Sequence, residues 1–423
     1  MLPEESQSQS GPVNFGSEKP SERAFNPPSG GVPSRIEPWV LLKNQSHSPV
    51  VYPAMIREAS TRARPGDWVH VYDRDGKYFG GGLWNPRARV PLRILRFSAT
   101  PAGEEALDEL IKRAVDFRLD TLRLPEVADS FRVIHSDGDS LSGLIVDKFA
   151  DVLSVQVHSL GIAQRLKTWV PRLHERLGTK RVVLEIDPTI ARFEGIAAKV
   201  IPTDPVRTVK IMENGIRYEV DFEAGHKTGF FCDQRDNRRM LASLVKGKTV
   251  LDLCCYTGGF ALSAKLHGGA AEVTGVDLDE AVIAQAKRNA NLNQARVSWV
   301  HCDAFSYARQ MQRNSEGFEV VICDPPKLIH SRETETELEG LRRYEDLNAL
   351  AMTLLKPGGI LVTCSCSGML TEEAFENILL RTSYRVSRRL QLLNRTGPGL
   401  DHPVMSNCLD GRYLKVFWAK AWD

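Results

Sequence analysis

Long apolar runs are missing from the sequence. No stretch approaches the roughly 18 consecutive apolar residues that a membrane-spanning helix needs. The N-terminal region also lacks the basic-then-apolar order of a secretory signal peptide. These two absences predict a cytoplasmic protein that has no membrane partner.

Paired cysteines and zinc motifs are missing as well. The eight cysteines include no Cys-x-x-Cys pair and no Cys/His cluster with the spacing of a zinc site. We therefore expect no bound metal and reduced thiols, most of which serve as buried packing. This packing interpretation applies to Cys232, Cys254, Cys255, Cys302, Cys323 and Cys364.

A strong excess of one charge is also missing. The chain has 55 Lys and Arg residues against 53 Asp and Glu, which gives a net charge of +2. The net charge alone therefore does not indicate a nucleic-acid partner, although local basic patches could still hold RNA. One such patch is predicted from Arg87, Arg89, Arg93 and Arg96.

The first hundred residues divide into a tail and a small β domain. Residues 1–34 are rich in Ser, Pro, Gly and Glu and hold few large apolar side chains, so we expect a disordered tail. Residues 35–100 consist of short alternating segments with a hairpin signal at Asp75-Gly76. This pattern predicts a small β-barrel.

The rest of the chain predicts two further parts. Residues 101–205 combine helical spacing over Glu104 to Leu119, a strand meander and a second helix over Ala163 to Leu177, which is typical of an α+β domain. Residues 206–423 alternate between strands and helices. Such alternation predicts an α/β domain whose parallel sheet is covered by helices on both faces.

Ligands of an open parallel sheet bind at the carboxyl ends of its strands. The first of these strands closes with Asp252 and leads into the turn Tyr256-Thr257-Gly258-Gly259, whose glycines either admit a ligand closely or are purely structural. Asp277 follows the turn by about 20 residues, the distance at which a carboxylate accepts both ribose hydroxyls. The turn is not Gly-x-Gly-x-x-Gly, which favours adenosylmethionine over a dinucleotide because adenosylmethionine has no pyrophosphate.

Three further strand ends carry reactive or polar groups. Asp303 is placed to meet an adenine amino group or to cap a helix, and the two roles are compatible. The loop Asp324-Pro325-Pro326-Lys327 is either an ordinary turn or a rigid support that hydrogen-bonds the edge of a flat base. Cys364 and Cys366 share one face of the fifth strand, and Cys366 lies further toward the crevice, so it is the thiol that we expect to reach a substrate.

Several motifs occur together in a specific order. They are PWV with FGGGLWNP, GDSLSGLIVDKFADVL, GHKTGFFCDQRDNR, YTGGF, DPPK, SCSG, and DHPV followed by GRYLKVF. With these motifs the sequence resembles class I adenosylmethionine-dependent methyltransferases, and more closely the ribosomal large subunit methyltransferase I family, from about Arg35 to the C-terminus. It departs from the family in its Leu-Cys-Cys before the glycine turn and in its tail of residues 1–34.

The resemblance implies an RNA-binding PUA barrel, a central α+β domain and a Rossmann-like catalytic domain with a seven-stranded sheet whose last strand, RYLKVFWAKA, is antiparallel. It implies S-adenosylmethionine as cofactor, 23S ribosomal RNA as partner and Cys366 as a nucleophile that attacks cytosine. The oligomeric state stays open, and a homodimer is compatible with the sequence. The resemblance assigns a cofactor pocket to Tyr256, Thr257, Gly258, Gly259, Asp277 and Asp303, and a conformable approach segment to Lys227, Thr228, Gln234 and Arg235. We also place Asp252 and Asp324 at the cofactor, and we expect the substrate to contact Pro325, Pro326, Lys327, Lys227 and Arg235.

The expected reaction is methylation of carbon 5 of a cytosine. A thiolate that adds to carbon 6 makes carbon 5 nucleophilic, and Asp324 is expected to bond the cytosine edge at nitrogen 3 and the exocyclic amine. Two alternatives stay open: methylation of an exocyclic amine of guanine or adenine with the Asp-Pro-Pro-Lys loop, and an RNA-binding assembly factor that has lost catalysis.

Overall fold

The computed structural model describes residues 35–44, 46–197, 199–223, 229–329 and 333–423. The predicted tail of residues 1–34 and the predicted substrate contacts of Lys227 and Thr228 lie outside the described residues. Within the described residues, Ile36–Asp423 form one compact unit. None of the helices in these ranges has the length and apolar character needed to cross a membrane.

Six short strands form the N-terminal sheet. Their order across the sheet is β2-β6-β5-β4-β1-β3, and the predicted turn at Asp75-Gly76 joins the antiparallel strands β4 and β5. A side chain at Gly81 would come within 2.2 Å of the Trp68 ring, so only glycine lets the two strands pack this closely. The strands are β1 Trp39–Leu42, β2 Val50–Val51, β3 Ile56–Ala59, β4 Trp68–Tyr72, β5 Tyr78–Trp84 and β6 Leu92–Phe97.

The central part is a four-stranded sheet that helices cover. The strand order is β10-β9-β8-β7, and turns at residues 137–138 and 150–151 join β7 to β8 and β8 to β9, which gives the predicted strand meander. Trp68 and Leu83 of the N-terminal sheet belong to the same apolar cluster as the central core, so the two parts share buried surface. The elements are α1 Glu105–Asp116, β7 Ser130–His135, β8 Leu144–Phe149, β9 Val152–Val157, α2 Leu160–Leu177, β10 Arg181–Glu185 and α3 Pro188–Glu194.

The C-terminal part contains the predicted seven-stranded sheet. A hairpin that the sequence analysis did not predict, β11 Thr208–Glu213 with β12 Ile216–Asp221, precedes it. The strand order is β15-β14-β13-β16-β17-β19-β18, and β19 runs antiparallel to both of its neighbours, as expected for the last strand. The remaining elements are α4 Arg235–Ala242, β13 Thr249–Leu253, α5 Gly259–Leu266, β14 Glu272–Asp277, α6 Glu280–Leu292, β15 Ser298–His301, α7 Ala304–Arg313, β16 Phe318–Cys323, α8 Thr334–Thr353, β17 Leu355–Ser365, α9 Glu372–Arg385, β18 Arg389–Thr396 and β19 Lys415–Trp422.

A buried ionic network joins the central part to the C-terminal part. Arg118 donates to both carboxylate oxygens of Asp139, at 2.6 and 2.8 Å, and to the backbone carbonyl of Asp401 at 2.6 Å. The Asp401 carboxylate accepts from the backbone N–H of Arg132 at 3.0 Å and pairs with Arg235 at 2.7 Å. Burial without such partners would be costly for each charge, so the network fixes the two parts to one another. The predicted domain boundaries near residues 100 and 205 stay predictions.

Candidate active site

The glycine turn between β13 and α5 is shaped by two residues. Asp252 is fully buried, and its Oδ2 accepts the backbone N–H of Ala261 at 3.0 Å, while the described residues offer its Oδ1 no hydrogen-bond partner. Gly258 has a positive φ of 88°, and a side chain there would come within 2.5 Å of the Trp299 ring. Only glycine fits at this position. The turn therefore has a fixed shape at the carboxyl end of β13.

Asp277 closes β14 beside this turn. Its Oδ2 accepts the backbone N–H of Tyr256 at 2.9 Å, and its Oδ1 accepts the backbone N–H of Asp279 at 3.1 Å. A carboxylate oxygen has two lone pairs, so each oxygen can accept one more hydrogen bond. Two adjacent hydroxyl groups are the ligand that such an oriented carboxylate suits.

Asp303 begins α7 as its N-cap. One of its carboxylate oxygens accepts the backbone N–H of Ser306 at 2.9 Å and its hydroxyl at 3.0 Å. The helix-capping interpretation is therefore confirmed. The predicted contact with an adenine amino group stays a prediction.

Asp324 follows β16 and is held from one side. Gln234 Nε2 donates to its Oδ2 at 3.0 Å, and Asn237 in turn donates to Gln234 Oε1 at 2.7 Å, so the amide orientation is fixed. Burial and the nearby Asp233 carboxylate raise the pKa of Asp324 to about 7, against the smaller opposing effect of the Gln234 hydrogen bond. A carboxyl group with this pKa exists in both protonation states at neutral pH.

The two cysteines of β17 differ in access. Cys364 is fully buried, its sulfur accepts from Gln234 at 3.7 Å, and burial raises its pKa well above the ordinary value. Cys366 lies just beyond the strand, is partly exposed, and has its Sγ 4.0 Å from the backbone carbonyl of Pro325. The structure thus brings Cys366 together with the loop that begins at Asp324, as the sequence analysis expected, and leaves its chemical role as a prediction.

Some predicted positions require correction. Arg235, expected at the substrate, has only 2% of its side chain exposed and pairs with Asp401, so its guanidinium is a structural group. Cys254 and Cys302, expected to be buried, are partly exposed. In the loop after Asp324, Pro325 is buried whereas Pro326 and Lys327 are exposed.

No group of three or more His, Cys, Asp or Glu able to hold a metal ion occurs in the part of the chain that the structure describes.

Two residues near Cys366 were not predicted from the sequence. Lys415 is buried at the start of β19, opposite Ser365 in the strand register, and its Nζ donates to the backbone carbonyl of Ser367. The hydroxyl of Tyr344, in α8, accepts from Ser365 Oγ at 3.0 Å. A lysine at the edge of the otherwise apolar run Val416 to Ala419 was the signal that could have identified the first of them.

Comparisons with known proteins give a consistent result. The model of the S-adenosylmethionine-dependent methyltransferase family matches residues 189–406, and a PUA-like domain model matches residues 43–97. A ribosomal RNA large subunit methyltransferase I from Shewanella frigidimarina is 36% identical over 376 residues, which cover 85% of this chain and 92% of the relative. The protein of the same name from Salmonella arizonae is 33% identical over 391 residues, which cover 89% of this chain and 96% of that relative.

Solved structures share the fold. A methyltransferase crystallised in complex with SAH aligns with a TM-score of 0.71 and 21% identity over 85% of this chain and 93% of its own. A SAM-dependent methyltransferase structure from Streptococcus mutans aligns with a TM-score of 0.70 and 22% identity, covering 84% of this chain and 92% of its own. At these identities the likeness is one of fold.

Proposed function

The chain belongs to the ribosomal RNA large subunit methyltransferase I family, and from this premise we propose that it methylates carbon 5 of a cytosine in 23S ribosomal RNA through a covalent adduct with Cys366. The observation that carries the proposal is the position of the partly exposed Cys366 thiol beside the Asp324-Pro325 loop. A nucleophile and an acid that face one crevice are what activation of a pyrimidine ring requires.

The product identifies the reaction directly. Ribosomal RNA that lacks the modification is incubated with the enzyme and methyl-labelled S-adenosylmethionine, and the nucleosides are then separated by mass spectrometry. The proposal expects the label in 5-methylcytidine. Label in an N-methylated guanosine or adenosine would contradict it and would favour the exocyclic-amine alternative.

The residues at the carboxyl ends of β13 and β14 fit S-adenosylmethionine. Burial, with Asp324 and Asp277 nearby, raises the pKa of Asp252 well above its usual range, because a further negative charge is unfavourable beside these carboxylates. A positively charged ligand would relieve this repulsion. The cofactor brings an ammonium and a sulfonium, and its electrophilic methyl group is the chemistry that it supplies when bound. Asp277 would hold the ribose hydroxyls, with the turn from Tyr256 to Gly259 against the methionine portion.

Changing Asp277 to alanine should weaken cofactor binding. Two charge-assisted hydrogen bonds to the ribose are worth on the order of 2–3 kcal/mol, which corresponds to roughly 30- to 150-fold in affinity. Isothermal titration calorimetry with S-adenosylmethionine measures the change. Asp279→Ala is the matched control, because Asp279 caps α6 by accepting the N–H groups of Ala281 and Val282 and should affect stability rather than affinity. Unchanged affinity in Asp277→Ala would rule out the ribose assignment.

The protonation behaviour of Asp324 suits cytosine. Cytosine presents an acceptor at nitrogen 3 and a donor at its exocyclic amine, so a protonated carboxyl group can donate to the first and accept from the second. The pKa of Asp324, raised to about 7, keeps much of that form present at neutral pH.

The proposed reaction follows from these two groups. The Cys366 thiolate bonds to carbon 6 while Asp324 gives its proton to nitrogen 3, which leaves an enamine with a nucleophilic carbon 5. Carbon 5 takes the methyl group and then gives its own proton to solvent water, and the ring expels the Cys366 thiolate as Asp324 recovers its proton from nitrogen 3. A cytosine in a helix cannot expose carbon 6, so the target base must be unpaired or flipped.

We also propose that the N-terminal sheet contacts RNA. The four arginines of the predicted basic patch lie in two different environments. Arg87 and Arg89 are exposed. Arg93 instead donates to Ser142 Oγ at 3.0 Å, and Arg96 pairs with Glu109 at 3.3 Å. We therefore assign RNA contact to the first pair only. Removal of the whole sheet would expose the apolar core that it shares with the central part, so substitutions are the cleaner test.

The double substitution Arg87→Ala/Arg89→Ala should weaken RNA binding about tenfold at moderate salt. Loss of two phosphate contacts should make the slope of log affinity against log salt shallower by about 1.5 to 2. Fluorescence anisotropy with an rRNA fragment over a salt series measures both. Arg96→Ala serves as the control because its guanidinium already has Glu109 as partner. An identical salt slope in the double variant would contradict RNA contact by this pair.

A further inference from the structure

Lys415 is a buried cation that forms no ion pair with a carboxylate among the described residues. Only 4% of the residue is exposed, and its Nζ donates to the backbone carbonyl of Ser367. The described residues place no carboxylate within ion-pair distance of this ammonium; Glu372, the carboxylate that acts on it from further away, is exposed at the start of α9 and is paired with Arg395. Burying an ammonium in this way is costly unless a nearby group of opposite charge interacts with it.

The position of Lys415 indicates which group its positive charge can stabilise. Lys415 pairs with Ser365 in the register of β17 and β19, and its side chain reaches the carbonyl of Ser367. Ser365 and Ser367 flank Cys366 in the sequence, so the lysine side chain runs alongside the segment that carries the thiol. Among the charged groups that raise the pKa of Lys415, Cys366 has the largest effect and Glu372 has the next largest.

We propose that Lys415 is a positioning residue whose ammonium stabilises the thiolate of Cys366. The inference rests on the proposed function in one respect: the thiolate is the form that attacks cytosine. Burial lowers the pKa of Lys415 to about 8, so its side chain is still mostly an ammonium at neutral pH. The thiol of Cys366 loses its proton to solvent water, and the nearby ammonium, which keeps its own proton, stabilises the thiolate that remains. When the ring later expels Cys366, the thiolate returns to the same ammonium.

Tyr344, Cys364 and Asp324 also lie near Cys366 among the described residues, and none of them supplies a positive charge. Tyr344 approaches from α8, and burial raises its pKa to about 12, so it stays neutral. Cys364, on the same strand, is likewise held neutral by burial. Asp324, which acts on both Tyr344 and Cys364, carries negative charge when ionised and would oppose a second anion in this space. A free thiol with a pKa near 8.5 is only a few per cent ionised at neutral pH, so the nucleophile needs a cation.

The test measures ionisation of Cys366 in the free enzyme, without RNA or cofactor. Iodoacetamide alkylates thiolates, and mass spectrometry of the Cys366 peptide gives the rate as a function of pH. For the wild-type protein we expect a midpoint clearly below the roughly 8.5 of an ordinary thiol. Lys415→Met removes the charge at similar length and should shift the midpoint upward by about one unit, which slows alkylation at neutral pH by about tenfold. Lys415→Arg should keep most of the wild-type rate.

The matched control is Lys420→Met. Lys420 lies on the same strand, but its Nζ sits 4.4 Å from the centre of the Trp422 ring, away from Cys366, so its removal should leave the profile unchanged. A wild-type midpoint at or above 8.5 would overturn the inference whether or not the variants fold. An unchanged profile in a folded Lys415→Met protein would also overturn it. Because the readout needs no substrate, it stays informative even where labelled product contradicts the cytosine proposal.

Discussion

Replacing Cys366 with alanine is expected to abolish both methylation and covalent capture of the substrate. RNA that carries 5-fluorocytosine at the target should become trapped on the wild-type enzyme, because fluorine at carbon 5 cannot leave as a proton would. Cys366→Ala has no sulfur to form the bond to carbon 6, so denaturing electrophoresis should detect no adduct. The loss of turnover should be on the order of 10⁴-fold or more, as for removal of other covalent nucleophiles.

Cys364→Ala is the control for this experiment. Cys364 lies one pleat deeper in β17 and is fully buried, so its sulfur serves packing. The truncation should cost about 1 kcal/mol of stability and leave most of the activity and the adduct. An adduct that maps to Cys364, or that persists in Cys366→Ala, would refute the choice of nucleophile. Methylation without any adduct would instead favour transfer to an exocyclic amine.

The second large effect is expected from Asp324→Asn. Asparagine keeps the size and can still bond the cytosine edge, but it cannot pass a proton to nitrogen 3 as carbon 6 is attacked. We expect kcat to fall by about 10²- to 10³-fold while KM for RNA changes little. Asp236→Asn, at an exposed position in the first turn of α4, should leave both constants near their wild-type values.

The pH dependence of the wild-type activity should also reflect the protonation of Asp324. Since the pKa of Asp324 is raised to about 7, its donating form is present below this pH and is lost as pH rises through it. Activity should therefore decline on the alkaline side, and Asp324→Asn should lack this decline. A decline that survives unchanged in Asp324→Asn would assign it to another group.

The residues that could be predicted from the sequence are those whose place follows from topology. Asp252, Asp277 and Asp324 each close a parallel strand, and parallel strands bring their carboxyl ends to one edge of the sheet. The partly exposed cysteine could be chosen because side chains alternate along β17. These arguments need no knowledge of distant contacts.

The residues that could not be predicted depend on which strands become neighbours. Lys415 lies beside Ser365 only because β19 inserts next to β17. Arg235 was expected at the substrate. It pairs instead with the carboxylate of Asp401, which lies 166 positions further along the chain. The edge strand β18 escaped prediction because most of its side chains are exposed, so its apolar pattern is weak.

The ionic network around Asp401 bears on how this chain can be divided. A cut near residue 205 would separate Arg118 and Arg132 from Asp401, and Arg235 would keep its carboxylate on a loop that has lost these two contacts. Arg235 begins the helix that directly follows Gln234, the residue that holds Asp324. The central part therefore supports the position of Asp324. We expect that a chain divided near residue 205 would not give two parts that each keep their structure.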